Sequence, residues 1–77
     1  MVLLPLHMLN SGESAEIAQL VGVPDHVHRL KELGMHAGQR VEMVQAGSPC
    51  IIRLEGTRLC FRESDALGVL VKPELGS

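Results

Sequence analysis

The segment from residue 24 to residue 38, PDHVHRLKELGMHAG, constrains the fold more than any other part of the chain. The proline at its start fits the first turn of a helix, where its missing amide hydrogen costs no bond. Val27, Leu30 and Leu33 recur every three residues and form one apolar stripe. Gly34 follows at the place where helices commonly end in a left-handed residue. The segment therefore predicts a helix of about ten residues, packed on the core through its apolar stripe.

Short stretches of alternating apolar residues around this helix predict strands. A tight turn is expected at residues 36–39, a single helical turn at 62–66, and at residues 4–9 an extended lead-in that docks Leu6 and Leu9 on the core. Strands this short bury a core best when the sheet curls into a small barrel. The sequence therefore predicts a mainly β fold: a five-stranded barrel with one short helix after the first strand and a helical turn before the last strand. The predicted strands are residues 14–22, 40–44, 50–54, 57–61 and 68–71.

The two cysteines belong to a hairpin predicted over residues 50–61. If the two residues between its strands form the loop, Cys50 faces Phe61 and Cys60 faces Ile51. The two thiols then leave opposite faces of the hairpin, which excludes a disulfide between them. Cys50 is expected to be a small core residue and Cys60 an exposed thiol. Thiols in a chain without export features indicate a reducing compartment, so the cytoplasm is the expected location.

Composition limits both the size of the fold and the class of partner. The chain has 77 residues, 45% of them hydrophobic, which suits one small domain over residues 1–77, with its core at about residues 6–71. The net charge of −2 and the single aromatic residue argue against a nucleic-acid surface. The apolar start MVLLPLHML is too short to span a membrane and lacks the basic region of a signal peptide.

The histidines suggest a metal site, but their spacing argues against one within a single chain. His26 and His28 lie two residues apart and point to nearly opposite sides of a helix. His28 and Glu32 lie four residues apart and can share an ion, although two ligands make a weak site. We therefore expect solvent-exposed histidines, no required cofactor and no dedicated metal site; weak transition-metal binding, with an ion shared between two copies, stays open. The other candidate ligands are His7, His36 and Cys60.

Catalytic chemistry finds little support in the sequence. The nine Asp and Glu residues are spread along the chain, mostly beside turns, as on an ordinary charged surface. The GxxxxGK[ST] motif of phosphate-binding loops does not occur. The sequence therefore predicts a protein that is not an enzyme.

Several positions, taken in order, resemble the FeoA family over about residues 6–71. The most distinctive match is to RLxELGMxxGxxV, met by Arg29, Leu30, Glu32, Leu33, Gly34, Met35, Gly38 and Val41. Before it, the family's leucine-rich lead, glycine and first strand are matched by Leu6, Leu9, Gly12, Ala15 and Ile17. After it, the pattern P…G…L.LR…A….V is matched by Pro49, Gly56, Leu59, Arg62, Ala66 and Val71. Two positions depart from the family: the turn at 45–49 is shorter than usual, and Cys50 replaces an apolar residue.

The resemblance implies a fold, a partner and a location. FeoA proteins are small cytoplasmic accessories of the bacterial ferrous-iron transporter FeoB. The chain is therefore expected to form an SH3-like barrel, a fold that also occurs in iron- and manganese-dependent repressors. Its implied role is non-enzymatic: contact with the cytoplasmic GTPase portion of a FeoB-type membrane transporter.

We expect the partner to meet the exposed rim of the helix and the turn that follows it. The residues expected to be available are Arg29, Glu32, Met35, His36 and Gln39. Two other functions stay open at this point, together with homo-oligomerisation. One is a domain that senses or delivers a transition metal, with the ion bridging a dimer. The other, disfavoured by the acidic charge balance, is a nucleic-acid-binding barrel.

Overall fold

The computed structural model describes residues 2–47, 49–62 and 68–74. Within these ranges the elements are β1 (Leu4–Pro5), a 3-10 turn (Leu6–Met8), β2 (Ser14–Leu20), α1 (Pro24–Glu32), β3 (Arg40–Gln45), β4 (Cys50–Leu54), β5 (Thr57–Phe61) and β6 (Val69–Pro73). The strands form one antiparallel sheet in the order β1-β6-β2-β3-β4-β5. The predicted mainly β fold with one helix after the first long strand is therefore confirmed.

The lead-in to β2 is more structured than the sequence indicated. It contributes a two-residue strand and a 3-10 turn in place of a simple extended segment. This short strand pairs with β6 and raises the number of strands from the expected five to six in the described part of the chain. Leu6 and Leu9 are buried, as expected. The helical turn predicted at 62–66 lies, beyond Arg62, outside the described residues.

The core is built from alternate positions of the strands, because successive side chains of a strand point to opposite faces. The buried set is Leu6, Leu9, Ala15, Ile17, Leu30, Met35, Val41, Met43, Cys50, Ile52, Leu54, Phe61, Val69 and Val71. These residues form one continuous cluster, and among the described residues none of the buried ones is polar or charged. The stability of the fold therefore depends chiefly on apolar burial.

The hairpin of β4 and β5 has the predicted register, with Cys50 opposite Phe61 and Cys60 opposite Ile51. Its two-residue loop has φ of 50° at Glu55 and 83° at the glycine that follows. Two positive φ angles in succession define a type I′ turn, which matches the right-handed twist of the strands. Cys50 is buried and Cys60 is exposed, so the expected placement of the two thiols on opposite faces is confirmed.

Helix α1 ends as predicted, but its apolar stripe is narrower than expected. Leu30 is buried, whereas Leu33 is 41% exposed, so the expectation that Leu33 packs inward is wrong. The helix ends at Glu32, and Leu33 is already the capping residue. Gly34 then adopts a φ of 99° and turns the chain, so that Met35 takes the inward place. The Met35 amide donates to the carbonyl of Leu30 at 3.2 Å, the bond that defines a Schellman motif.

Candidate functional site

The rim of helix α1 is exposed where the sequence predicted a partner surface. The helix starts at Pro24 after an extended capping residue, with Asp25 in its first turn and Arg29 and Lys31 in its last. This charge order stabilises the helix because its amino end carries a partial positive charge and its carboxyl end a partial negative one. Arg29 and Glu32 are both exposed. The local sequence thus fixes a charged rim beside the exposed side chain of Leu33.

The turn at residues 36–39 is held in place by hydrogen bonds from both directions. The Gly38 amide donates to the Ile17 carbonyl at 2.7 Å, and the Ile17 amide donates to the Gln39 carbonyl at 2.8 Å. The His36 amide donates to Gln39 Oε1 at 2.7 Å, and Gln39 Nε2 donates to Glu55 Oε1 at 3.3 Å. The turn is therefore tied to β2 on one side and to the β4–β5 loop on the other.

An open groove, the helix groove, lies between α1 and β2. Its volume is about 390 Å³, and its lining is Ala18, Gln19, Leu20, Val27, Lys31, His36 and Ala37. Most of this lining is apolar or uncharged, with the basic side chain of Lys31 and the imidazole of His36 as exceptions. The groove contains one of the predicted partner residues, His36, together with Lys31, which was not among them.

A second open groove, the sheet groove, lies on the outer side of β2, β3 and β4. Its volume is about 470 Å³, and its lining is Ser14, Gly38, Gln39, Arg40, Val41, Glu42, Arg53, Glu55 and Gly56. Its charges are largely paired: Arg53 Nη1 lies 3.4 Å from Glu42 Oε1, and Arg40 Nε lies 2.9 Å from Glu74 Oε1. Because Gln39 lines this groove and His36 lines the helix groove, the 36–39 turn separates the two.

One of the five predicted partner residues, Met35, does not lie on the surface. Met35 is fully buried, so it cannot belong to an exposed rim. The cause is the left-handed glycine before it, which turns the chain inward and places the methionine in the core. Arg29, Glu32 and His36 are exposed and Gln39 is half-buried. The structure thus brings four of the five together as surface residues of the helix end and the turn.

The histidines divide into two environments. His28 and His36 are exposed, whereas His7 and His26 are half-buried, so the expectation of four solvent-exposed histidines is wrong for these two. The ring of His26 lies so close to Gly68 that a Cβ added there would be 2.8 Å from its Nε2. Residue 26 therefore packs the start of the helix against the sheet.

A close pair of potential metal ligands lies on the helix surface. His28 Nε2 lies 2.7 Å from Glu32 Oε1, and both side chains are mostly exposed. Zinc sites in proteins use three or four protein ligands, and two donors on one helix supply half of a tetrahedral set. No group of three or more His, Cys, Asp or Glu residues within 2–47, 49–62 and 68–74 is arranged to hold a metal ion.

The comparison with known families decides the identity of this architecture. The family model of the FeoA domain matches residues 4–73. The chain belongs to the FeoA family. No curated protein matches the chain. The match begins in β1 and ends at the last residue of β6, so the FeoA domain contains both the helix rim and the two grooves. The predicted resemblance to FeoA proteins is confirmed.

Solved structures agree with this assignment. FeoA of Stenotrophomonas maltophilia, crystallised with zinc, has a TM-score of 0.80 and 30% sequence identity, covering 90% of this chain and 89% of that one. It is described as a procaryotic SH3 domain protein and as a candidate activating factor of bacterial ferrous iron transport. FeoA of Chlorobium tepidum has a TM-score of 0.83 and 26% identity, covering 96% of this chain and 73% of that one. The SH3-like fold expected for the FeoA resemblance is therefore confirmed.

The same fold occurs inside larger proteins. A manganese-dependent transcriptional repressor has a TM-score of 0.85 over 94% of this chain, which corresponds to 42% of the repressor. Its sequence identity is 10%, so this likeness concerns the fold alone. None of the helical segments in the described part of the chain has the length and hydropathy that a membrane span requires.

Proposed function

We propose that this FeoA-family chain, as a single domain, is a non-enzymatic accessory protein of bacterial ferrous iron uptake. It acts in the cytoplasm by binding the GTPase portion of a FeoB-type membrane transporter. The observation that carries the proposal is the turn at 36–39, tied on both sides by hydrogen bonds and flanked by two open grooves. A surface held rigid before binding loses less conformational entropy when a partner docks.

The non-enzymatic part of the proposal is supported by the chemistry of the two grooves. Their charged side chains are exposed or paired with one another, as in Arg53 with Glu42. Catalytic acids and bases usually lie in desolvated clefts that change their proton affinity, whereas these grooves open to solvent. Recognition of a protein surface needs no such cleft.

The helix rim is tested by replacing Arg29. Arg29→Glu reverses its charge, and Arg29→Ala removes it without placing a negative charge near the carboxyl end of the helix. Both variants are expected to keep the thermal midpoint within a few degrees of wild type, because the side chain is exposed. Both are expected to bind the purified cytoplasmic portion of the transporter more weakly in isothermal titration calorimetry.

The matched control is Lys72→Glu, an equal change of charge at an exposed position of β6 that lines neither groove. Its thermal midpoint is expected to fall, because the new carboxylate faces Glu16 on β2, but below that midpoint it is expected to bind as wild type does. If both Arg29 variants bind the transporter portion with the same affinity as wild type, the helix rim is not part of the interface. A wild-type chain that does not bind the transporter portion at all would contradict the proposed function.

A second candidate function, transition-metal binding across two copies, is supported by one contact. His28 and Glu32 already lie within 2.7 Å of each other, and the Stenotrophomonas relative was crystallised with zinc. Because one chain supplies two donors, a second copy would have to complete the ion's coordination. The test is zinc titration followed by sedimentation: dimerisation that is lost in His28→Ala supports this function, and saturable binding by a monomer contradicts it.

A further inference from the structure

Charged residues on the outer face of the sheet oppose one another in a regular way. Glu16 lies directly opposite Lys72 on one neighbouring strand and opposite Arg40 on the other. Glu42 lies directly opposite Arg53. Each of these registers joins unlike charges, and directly opposed side chains on neighbouring strands are about 4.5–5.5 Å apart at Cβ. The pairing therefore stabilises the sheet as far as β4.

The last pair of strands breaks this rule. Arg53 on β4 lies directly opposite Arg58 on β5, a pair of like charges. Like charges in this position destabilise a sheet. Glu42 compensates Arg53 from the other side, with 3.4 Å between Oε1 and Nη1. Arg58 lies on the strand at the end of the sheet order and forms no ion pair with another described residue.

The backbone N–H and C=O groups of Arg58 also point away from β4. The two-residue loop is closed by the pair of Leu54 and Thr57, which exchange hydrogen bonds in a hairpin of this type. Because hydrogen-bonded and non-hydrogen-bonded pairs alternate along an antiparallel ladder, Arg58 and Cys60 point their N–H and C=O groups away from β4. Among the described strands none lies on that side. The edge therefore presents backbone hydrogen-bonding groups beside an arginine.

We propose that the outer edge of β5 binds an extended acidic segment of the protein partner. The segment would add as a further strand, with its backbone paired to Arg58 and Cys60 and a carboxylate beside the Arg58 guanidinium. Strand addition at a sheet edge supplies affinity through the main chain and selectivity through side chains. The inference rests on the proposed function, in which the partner is the cytoplasmic portion of the transporter.

Charge decides between this partner and a second copy of the chain. The strand Thr57–Phe61 contains Arg58 and no acidic residue, and the exposed Arg62 follows it directly. Two copies joined edge to edge would bring arginines together on both sides of the interface. An acidic strand instead neutralises the charge that the sheet leaves uncompensated, so the edge favours a different, acidic partner.

The test is Arg58→Glu, which affects stability and binding in opposite directions. In the free protein the new carboxylate would face Arg53, so the thermal midpoint is expected to rise by about 2–6 °C. The affinity for the purified cytoplasmic portion of the transporter is expected to fall about tenfold or more, because the carboxylate introduced at position 58 then faces a carboxylate of the partner. Lys72→Glu is again the control with an equal change of charge: it faces Glu16, so its thermal midpoint is expected to fall, but below that midpoint it is expected to bind as wild type does.

Hydrogen exchange of the wild-type complex tests the backbone part of the proposal. The amides of Arg58 and Cys60 are expected to exchange rapidly in the free chain and slowly in the complex. Unchanged binding by Arg58→Glu would overturn the inference, and so would weakened binding without protection of these two amides. If Arg29→Glu abolishes binding while Arg58→Glu does not, the proposed function survives and the edge inference fails. A wild-type chain that does not bind removes both.

Discussion

Replacing Gly68 with alanine tests how tightly the start of β6 packs against the helix and the end of β2. A Cβ at this buried position would lie 2.8 Å from His26 Nε2, 2.9 Å from His26 Cδ2 and 2.9 Å from the Val21 carbonyl oxygen. The imidazole is the end of a side chain and can rotate away. The carbonyl belongs to the backbone of Val21, whose amide donates to the Gly68 carbonyl at 2.8 Å. Relief of that contact therefore displaces a hydrogen bond between the residue that follows β2 and the residue that precedes β6.

The size of the effect follows from two opposing contributions. Adding a methyl group to a closely packed site costs about 1–3 kcal/mol. Alanine also restricts the unfolded chain, which returns about 0.4–1 kcal/mol. Because one of the close contacts is with a backbone carbonyl, the cost is expected in the upper part of its range, about 2–3 kcal/mol. The free energy of unfolding is then expected to fall by about 1–2.6 kcal/mol, and the thermal midpoint by about 4–21 °C for a domain of this size.

Thermal and urea unfolding of wild type, Gly68→Ala, His26→Ala and the double variant measure this cost and its source. In the His26→Ala background the ring contact is gone and the contact with the Val21 carbonyl persists, so the cost of the alanine is expected to fall without vanishing. A Gly68→Ala variant within about 0.5 kcal/mol of wild type would refute the reasoning, because changes of that size are typical of unconstrained surface positions.

Two further predictions concern the helix stripe and the hairpin loop. Leu30→Ala is expected to lower the free energy of unfolding by about 2–5 kcal/mol and Leu33→Ala by less than about 1 kcal/mol; equal losses in urea unfolding would contradict the assignment of Leu30 alone to the core. Glu55→Asn is expected to raise the thermal midpoint by about 2–8 °C, because asparagine tolerates positive φ in a type I′ turn. A lower midpoint would mean that the hydrogen bond from Gln39 to Glu55 contributes more than the backbone strain costs.

The parts of the fold predicted correctly are those fixed by local chemistry. The glycine at position 34 ends the helix because it adopts a left-handed conformation with little steric cost, and this needs only the sequence nearby. The register of the hairpin followed from placing Cys50 and Phe61 on one face, since a slip of one residue reverses every side chain. Both features are visible within a window of about ten residues.

The parts predicted wrongly depend on contacts between distant segments. Three-residue periodicity predicted that Leu30 and Leu33 are both buried. The chain turns at the end of the helix, however, so that Met35 is buried and Leu33 is exposed. Whether a residue after a helix end is buried depends on what the turning chain meets, which periodicity does not contain. The packing of His26 against Gly68 joins residues that are far apart in sequence, and no local pattern indicates it.

The pair of Arg53 and Arg58 follows from the predicted hairpin register, but its consequence for binding depends on the order of the strands. The predicted hairpin already implied that Arg53 faces Arg58. The order of the strands adds that Glu42 flanks Arg53 and that β5 is an edge strand of the sheet formed by the described residues. Charged residues on edge strands also protect proteins from aggregation, so protection alone is a sufficient reason for Arg58. The two roles differ in one respect: glutamate protects an edge as well as arginine does. If Arg58 served only to prevent aggregation, the Arg58→Glu variant would be more stable and would still bind its partner. If Arg58 receives an acidic strand, the same variant must lose that binding.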